Sequence, residues 1–341
     1  MDLLPTEEQD EIISTVRSQL ERNFDLHALA ASDGAASVID RELWARCAEL
    51  GWFGLGLNES LGGVGYTLAE EALLFAEVGA HATPGPFLAT VLSARLAALA
   101  GASDLAAGIL SGEQLVALAE PHGPGDASAG ATVSGTFRVT DHGGADLVLV
   151  LVGDTAALVA ASDLVAEPMA SLDLLVPTAI GTVAGVTALA NIEDASGLRL
   201  RATVLVAAEL AGIATATAEQ STQYAKDREQ FGTPIGAFQA VKHRCADMAV
   251  RAEAATSLTR YAALAVLEGQ PDAAFHAHAA RTVAATAAIE NAQINVQNHG
   301  GIGFTWEHTA HRYVTRAQVR SRTVGDTRAH LAALLEQPAL A

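Results

Sequence analysis

The chain is short of cysteine, of aromatic rings and of positive charge. Among its 341 residues there are 2 cysteines, only 5% are aromatic, and 20 Lys and Arg stand against 39 Asp and Glu, for a net charge of −19. Cys47 and Cys245 sit at apolar helix positions, which speaks against a disulfide or a thiolate metal site and for buried free thiols in a cytosolic protein. The acidic balance disfavours nucleic acid and anionic lipid as partners, while leaving local Arg clusters free to hold an anionic substrate. No charge-free apolar run of about 18 residues is flanked as a membrane span would be. The most apolar region, residues 145–161, is broken by Gly153 and Asp154 and reads as strands. Asp2, Glu7, Glu8 and Asp10 occupy the place of the basic region that a signal peptide needs. A cytoplasmic chain without membrane, nucleic acid or metal partners is expected.

What the chain does have is apolar surface, 50% of its residues, much of it alanine, which suits closely packed helices. Thr6-Glu7-Glu8-Gln9 is a capping box opening a helix with Ile12, Ile13, Val16 and Leu20 on one side. Asp40 can cap a second helix carrying Leu43, Trp44, Cys47 and Leu50 on one face. Residues 68–79 and 86–101 read as two more helices. From Leu115 the period changes to short β-type runs, at residues 115–118, 136–139, 147–152 and 156–159, with further strands between Val165 and Leu200. From Ala202 the chain is helical again. Val241, Cys245, Met248, Ala252, Ala255, Leu258, Ala262 and Ala265 recur at steps of three and four. The expected fold is α+β: an N-terminal α domain (1–112), a small middle antiparallel β domain (113–198) and a C-terminal helical bundle (199–341).

Two stretches carry chemistry. In the first, Tyr224-Ala225-Lys226-Asp227-Arg228-Glu229-Gln230-Phe231-Gly232-Thr233-Pro234, a long helix ends at Gly and Pro, and a new helix starts near Gln239. An Arg fork beside an aromatic ring at such a break is a grip for a ligand with a phosphate and a ring. The second is Gln297-Asn298-His299-Gly300-Gly301-Ile302-Gly303-Phe304-Thr305-Trp306-Glu307, followed by Arg312-Tyr313. The first resembles the R-x-x-F-G…Q signature of acyl-CoA dehydrogenases, and the second their Q-x-x-GG-x-G-[YF]-T-x-E…R-Y. Glu49-Leu50-Gly51-Trp52 and Gly62-Gly63-Val64-Gly65 add a weaker third match near the start.

The resemblance implies the family's three-part architecture and FAD-dependent α,β-desaturation of an acyl-CoA, or acyl-carrier-protein, thioester. A carboxylate removes the α-proton and flavin N5 accepts the β-hydride. It also implies a dimer or tetramer with FAD across the subunit interface. Arg228, Gln230, Phe231, Gln239, Gln297, Gly300 and Gly301 would face the adenosine and diphosphate. The other half of the site departs from the family. Where the family has T-E-P-x-x-G-S-D this chain reads Ala119-Glu120-Pro121-His122-Gly123-Pro124-Gly125-Asp126, and the Trp of W-I-[TS]-N-G is missing from residues 137–143. Val324 stands where the catalytic Glu of Y-E-G-T would be, and an alternative family position falls on Ala202. Asp326 and Glu209 are the nearest carboxylates, Glu209 being about 10 Å along its helix from Ala202. His299, His308 and His311 belong to or adjoin the second block, and no metal site is expected there. The pattern resembles the short, base-lacking subunit of heteromeric α2β2 acyl-CoA dehydrogenases, which work with a homologous partner on bulky thioesters such as steroid side-chain CoA. The alternatives are a homo-oligomeric dehydrogenase with a displaced carboxylate and a flavin-free scaffold subunit.

Overall fold

A computed structural model describes residues 3–29, 33, 35, 39–123 and 125–337. Pro124, in the divergent 119–126 loop, lies outside the described residues. The helices preceding the sheet are α1 (Glu7–Asn23), α2 (Arg41–Glu49), α3 (Leu68–Ala80), α4 (Phe87–Leu99) and α5 (Ser103–Leu110). The strands are β1 (Val116–Pro121), β2 (Ser128–Ala129), β3 (Thr132–Thr140), β4 (Leu147–Val152), β5 (Thr155–Ala160), β6 (Val165–Met169), β7 (Thr178–Thr187) and β8 (Ala190–Ile192). Then come α6 (Ser196–Asp227), a two-residue ribbon of β9 (Glu229–Gln230) and β10 (Thr233–Pro234), α7 (Gln239–Leu267), α8 (Ala273–His299), α9 (Ala310–Arg320) and α10 (Thr327–Glu336). The expected α, β, α order is what the chain adopts.

Backbone contacts divide the chain into two compact units. One takes the described residues of Met1–Ala30, Leu68–Thr83 and Thr203–Ala341; the other takes those of Ala31–Thr67 and Pro84–Ala202. The N-terminal helices are thus shared out, with α1 and α3 packing with the C-terminal helices.

The second unit holds the sheet, in the order β6-β7-β3-β1-β4-β5-β8, with β2 beside β3. It is mixed rather than antiparallel, because β1 and β4 run parallel. Thr140, at the end of β3, lies opposite Leu118 near the start of β1. The chain then passes below β1, where Asp146 N–H and Leu147 N–H both donate to Leu115 O, and rises on its far side. The parallel neighbours are not consecutive strands, so no helical crossover is required. One face packs Ala119, Phe137, Val139, Val150, Ala157 and Val159 into a core. In the same unit Trp44 lies 4.5 Å from Phe53 and 4.9 Å from Phe87, ring centre to ring centre. Gly51 (φ +75°) and Gly63 serve packing there: a Cβ would meet Val64 Cγ2 at 2.8 Å and Leu57 O at 2.0 Å. The Cys47 thiol, buried nearby, is pushed up to about 12 by loss of solvent.

The first unit is built on α6. By length and hydropathy α6 could cross a membrane, but 83% of its most apolar window is buried. Both expected caps are in place on the early helices: the Thr6–Gln9 box on α1 and Asp40 on α2. On α7 the apolar stripe is buried at Met248, Ala252, Ala255, Ala262 and Ala265, while Val241, Cys245 and Leu258 are only half-buried. Two glycines bring α3 and α6 to backbone contact. A Cβ at Gly79 would lie 1.9 Å from Glu209 O, and one at Gly212 1.9 Å from Ala76 O. In isolation Gly212→Ala would favour the helix by about 1 kcal/mol. Here it must spread the two helices, an overpacking cost of about 1–3 kcal/mol or more. The expected result is a net loss of stability, read as a lower urea midpoint; an unchanged or higher midpoint would refute the contact.

Candidate functional site

The two motif blocks lie far apart in sequence and meet at the C-terminal ends of α6 and α8. Three asparagines on one face of α8 make the join. Asn291 Nδ2 donates to Ala214 O (3.0 Å) and Met248 O (2.9 Å), Asn295 Nδ2 to Gln220 Oε1 (2.9 Å) and Asn298 Nδ2 to Ser221 Oγ (2.7 Å). Tyr224 stacks on His299 with ring centres 4.2 Å apart, and His299 lies 4.4 Å from His308. His299 Nδ1 donates to Asn295 O at 2.8 Å, which orients the ring.

On this frame the first block forms a protruding tip. α6 stops at Asp227, and Phe231-Gly232 closes the ribbon with φ of +55° and +76°. Positive φ at both central residues is what a type I′ hairpin turn requires. For Phe this conformation costs about 1 kcal/mol, and it holds the ring 94% exposed. Phe238 packs edge-on to it at 6.2 Å. Arg228 is exposed and its guanidinium makes no hydrogen bond or ion pair among the described residues; Asp227 instead accepts from Gln223 at 2.8 Å. Gln230 is exposed and folds onto Glu229 O, and Gln239 is the exposed first residue of α7.

The second block ends α8. Gln297 is exposed, and Gly300 turns the chain at φ +66°, ψ −142°, a combination reserved to glycine. A Cβ at Gly300 or Gly301 would meet nothing within 4 Å, so these glycines leave bare backbone facing open space. Beyond them Phe304 (76% exposed) and Trp306 (68%) extend the apolar surface. Those rings and Phe238 were missed as site residues; their signal was aromatic side chains at positions with no helical period.

The residues near the expected base are otherwise engaged. Val324 is buried and takes φ +58°, an unusual conformation for a β-branched residue. Arg281, fully buried, clamps that loop by donating to Arg320 O (2.9 Å), Thr323 O (3.1 Å) and Gly325 O (3.3 Å). Glu209 is buried and accepts from Arg320 Nε at 2.7 Å. Asp326 caps α10 by accepting from Ala329 N–H at 2.9 Å. Ala202 is buried and carries no carboxylate. In the sheet, Arg138 stands opposite Glu120 and pairs with it at 3.0 Å, and Phe137 is buried in the core, so neither offers an exposed ring or hydroxyl.

Residues 6–106 match the family described as acyl-CoA dehydrogenase, N-terminal domain, and residues 201–337 match acyl-CoA dehydrogenase, C-terminal domain. Among curated relatives, the acyl-CoA dehydrogenase FadE34 of Mycobacterium tuberculosis is 37% identical over 81% of this chain, which spans only 39% of FadE34's length. The acyl-CoA dehydrogenase IpdE2 of the same organism is 33% identical over 92% of both chains. Among solved structures, the ChsE4–ChsE5 complex from Mycobacterium tuberculosis is 27% identical with a TM-score of 0.89, over 99% of this chain and 100% of that one. A variant of the Tcur3481–Tcur3483 steroid ACAD is 28% identical with a TM-score of 0.86, over 97% of each chain.

The histidine cluster makes the site sensitive to acid. Burial holds His299 below its ordinary value of 6.5; His308 is held down by burial and then by the neighbouring His299, His27 and His311. Below pH 6.5 the unfolded chain therefore binds protons that the folded unit resists, so this stability is complete above 6.5 and declines as pH falls. The unfolding midpoint is expected to drop between about pH 7 and pH 5.5, and His299→Gln to flatten the drop. An identical pH profile in the variant would refute the assignment.

Proposed function

The chain belongs to the acyl-CoA dehydrogenase family, a family of oxidoreductases, and we propose that it is the base-lacking subunit of a two-component, FAD-dependent desaturase acting on a bulky acyl thioester. The observation that carries this reading is Val324. At the position where the resemblance places the base, the loop takes a left-handed backbone, is clamped by buried Arg281, and presents a side chain that cannot accept a proton. The two substitute carboxylates have structural partners, Glu209 in a buried ion pair and Asp326 as a helix cap, which argues against a displaced base in a self-sufficient homo-oligomer.

The residues at the exposed tip fit the adenosine and diphosphate half of FAD. Arg228 offers an unpaired fork of donors for phosphate oxygens, Phe231 an exposed ring face, and Gly300 and Gly301 backbone that a ligand can approach closely. The sheet side does not fit the flavin ring, with Ala119 in place of a hydroxyl and Glu120 tied to Arg138. When bound, the flavin supplies the hydride acceptor; this chain's part is to hold the cofactor's far end while its partner supplies base and ring cradle. A partner and a steroid-like acyl group are supported by two solved neighbours, one a ChsE4–ChsE5 complex and the other a steroid ACAD.

Arg228→Ala tests the reading in the complex purified with a partner subunit. Loss of a charge-assisted phosphate contact is expected to weaken FAD retention by about tenfold or more. Unchanged retention would overturn the assignment.

A further inference from the structure

Within the first unit, α1, α3, α6 and α7 line a cavity of about 880 Å³ that is partly open to solvent. It is lined by none of residues 224–239, 297–308 or 320–326, so it is separate from the flavin-facing tip and from the Val324 loop. Its size falls in the range of small-molecule sites. Its walls are alanine-rich, with Ala72, Ala76, Ala208, Ala211 and Ala263 facing it beside Ile13 and Leu73. The glycine contact between α3 and α6 leaves these two helices close and smooth.

The cavity is a slot with two unlike ends. α1 lines it from Thr6 to Glu21, fifteen residue steps, or about 22 Å at the helical rise. The far end is saturated with negative charge. Arg17 pairs with Glu77 at 2.8 Å, and Glu219 and Glu21 lie within electrostatic reach of the same guanidinium. His81 Nδ1 donates to Glu77 O at 2.9 Å. The near end holds Arg260 on α7. Its Nη1 reaches Leu3 O at 3.4 Å, and its Nε is shut off from solvent and meets no acceptor among the described residues. Thr6 and Gln9, the polar groups of α1 at that end, are bound to each other in the capping box, with Gln9 also donating to Glu70. Thr256, one turn before Arg260 on α7, faces the same cavity.

Arg260 lines the cavity and, among the described residues, makes one long hydrogen bond, to Leu3 O, so its fork keeps donors for an anion. A largely apolar slot with Arg260 at one end and carboxylates that repel a second anion at the other selects one ligand class and one orientation. The geometry points to a binding site for an elongated apolar monoanion, a long-chain or polycyclic carboxylic acid, with its carboxylate on Arg260 and its apolar body along α6.

Palmitate labelled with carbon-13 at the carboxyl, kept below the concentration at which it forms micelles, is the probe. Calorimetry and carboxyl NMR on the full chain should show one saturable site. Arg260→Met should weaken binding by about tenfold or more, as should replacing palmitate with hexadecanol, because each removes one charged partner. Ala76→Leu, which fills the slot without touching the charge, should weaken it comparably, and it decides the question alone if Arg260→Met does not fold by circular dichroism. Absence of saturable binding would overturn the proposal. So would binding that Ala76→Leu leaves intact, which would mark adsorption at the exposed rings of Phe231 and Trp306, and so would equal affinity for the acid and the alcohol.

Discussion

The hydrogen bonds from Asn291, Asn295 and Asn298 hold the C-terminal half of α8 against α6, and the candidate site's surface depends on them. These side chains are buried, so each amide that reaches across the helix interface replaces water it has lost, and a shift of α8 along α6 would strand it. That fixes the register between the end of α6 and the end of α8. The Tyr224–His299 stack then forms, and two stretches some seventy residues apart become one surface. The glycine contact on the opposite side of α6 does the same for α3: Gly79 and Gly212 admit a carbonyl where any side chain would push it away. α6 is thus held from two sides, and both constraints act on position more than on hydrophobic burial, as an alanine-rich bundle with little side-chain volume requires.

The helices were readable because their signals are local. The capping box of α1, the Asp40 cap of α2, the Gly and Pro stops and the continuous apolar run of β4 each act within a few residues. The parallel pairing of β1 with β4 was not readable, because it depends on where the chain passes below β1, a choice made by Asp146 and Leu115 across the sheet. α5 was missed for a related reason: eight residues give too short a periodicity. The allocation of α1 and α3 to the unit of the C-terminal helices also escaped the sequence, since the decisive glycines look like ordinary helix interior positions until the partner carbonyl is seen.

The candidate site was readable in its residue types and opaque in its state. Arg228 could have been an ion-pair partner of Asp227 or Glu229; in the fold its guanidinium is unengaged among the described residues, and Asp227 turns to Gln223. Glu209 and Asp326 looked like spare carboxylates, and both have structural partners. Val324 is the reverse case. Its side chain cannot accept a proton, and its backbone takes a left-handed conformation in a loop that Arg281 holds. The proposed role, inside a flavoprotein complex, rests on that missing proton acceptor and on the exposed Arg228.

The most direct test of that role is the flavin absorbance per chain, measured on this protein purified alone and again after co-expression with a family member that carries the glutamate missing at Val324. The account predicts flavin only in the co-purified complex. Stoichiometric flavin in the lone chain would contradict it, because the chain's own sheet would then have to cradle the ring.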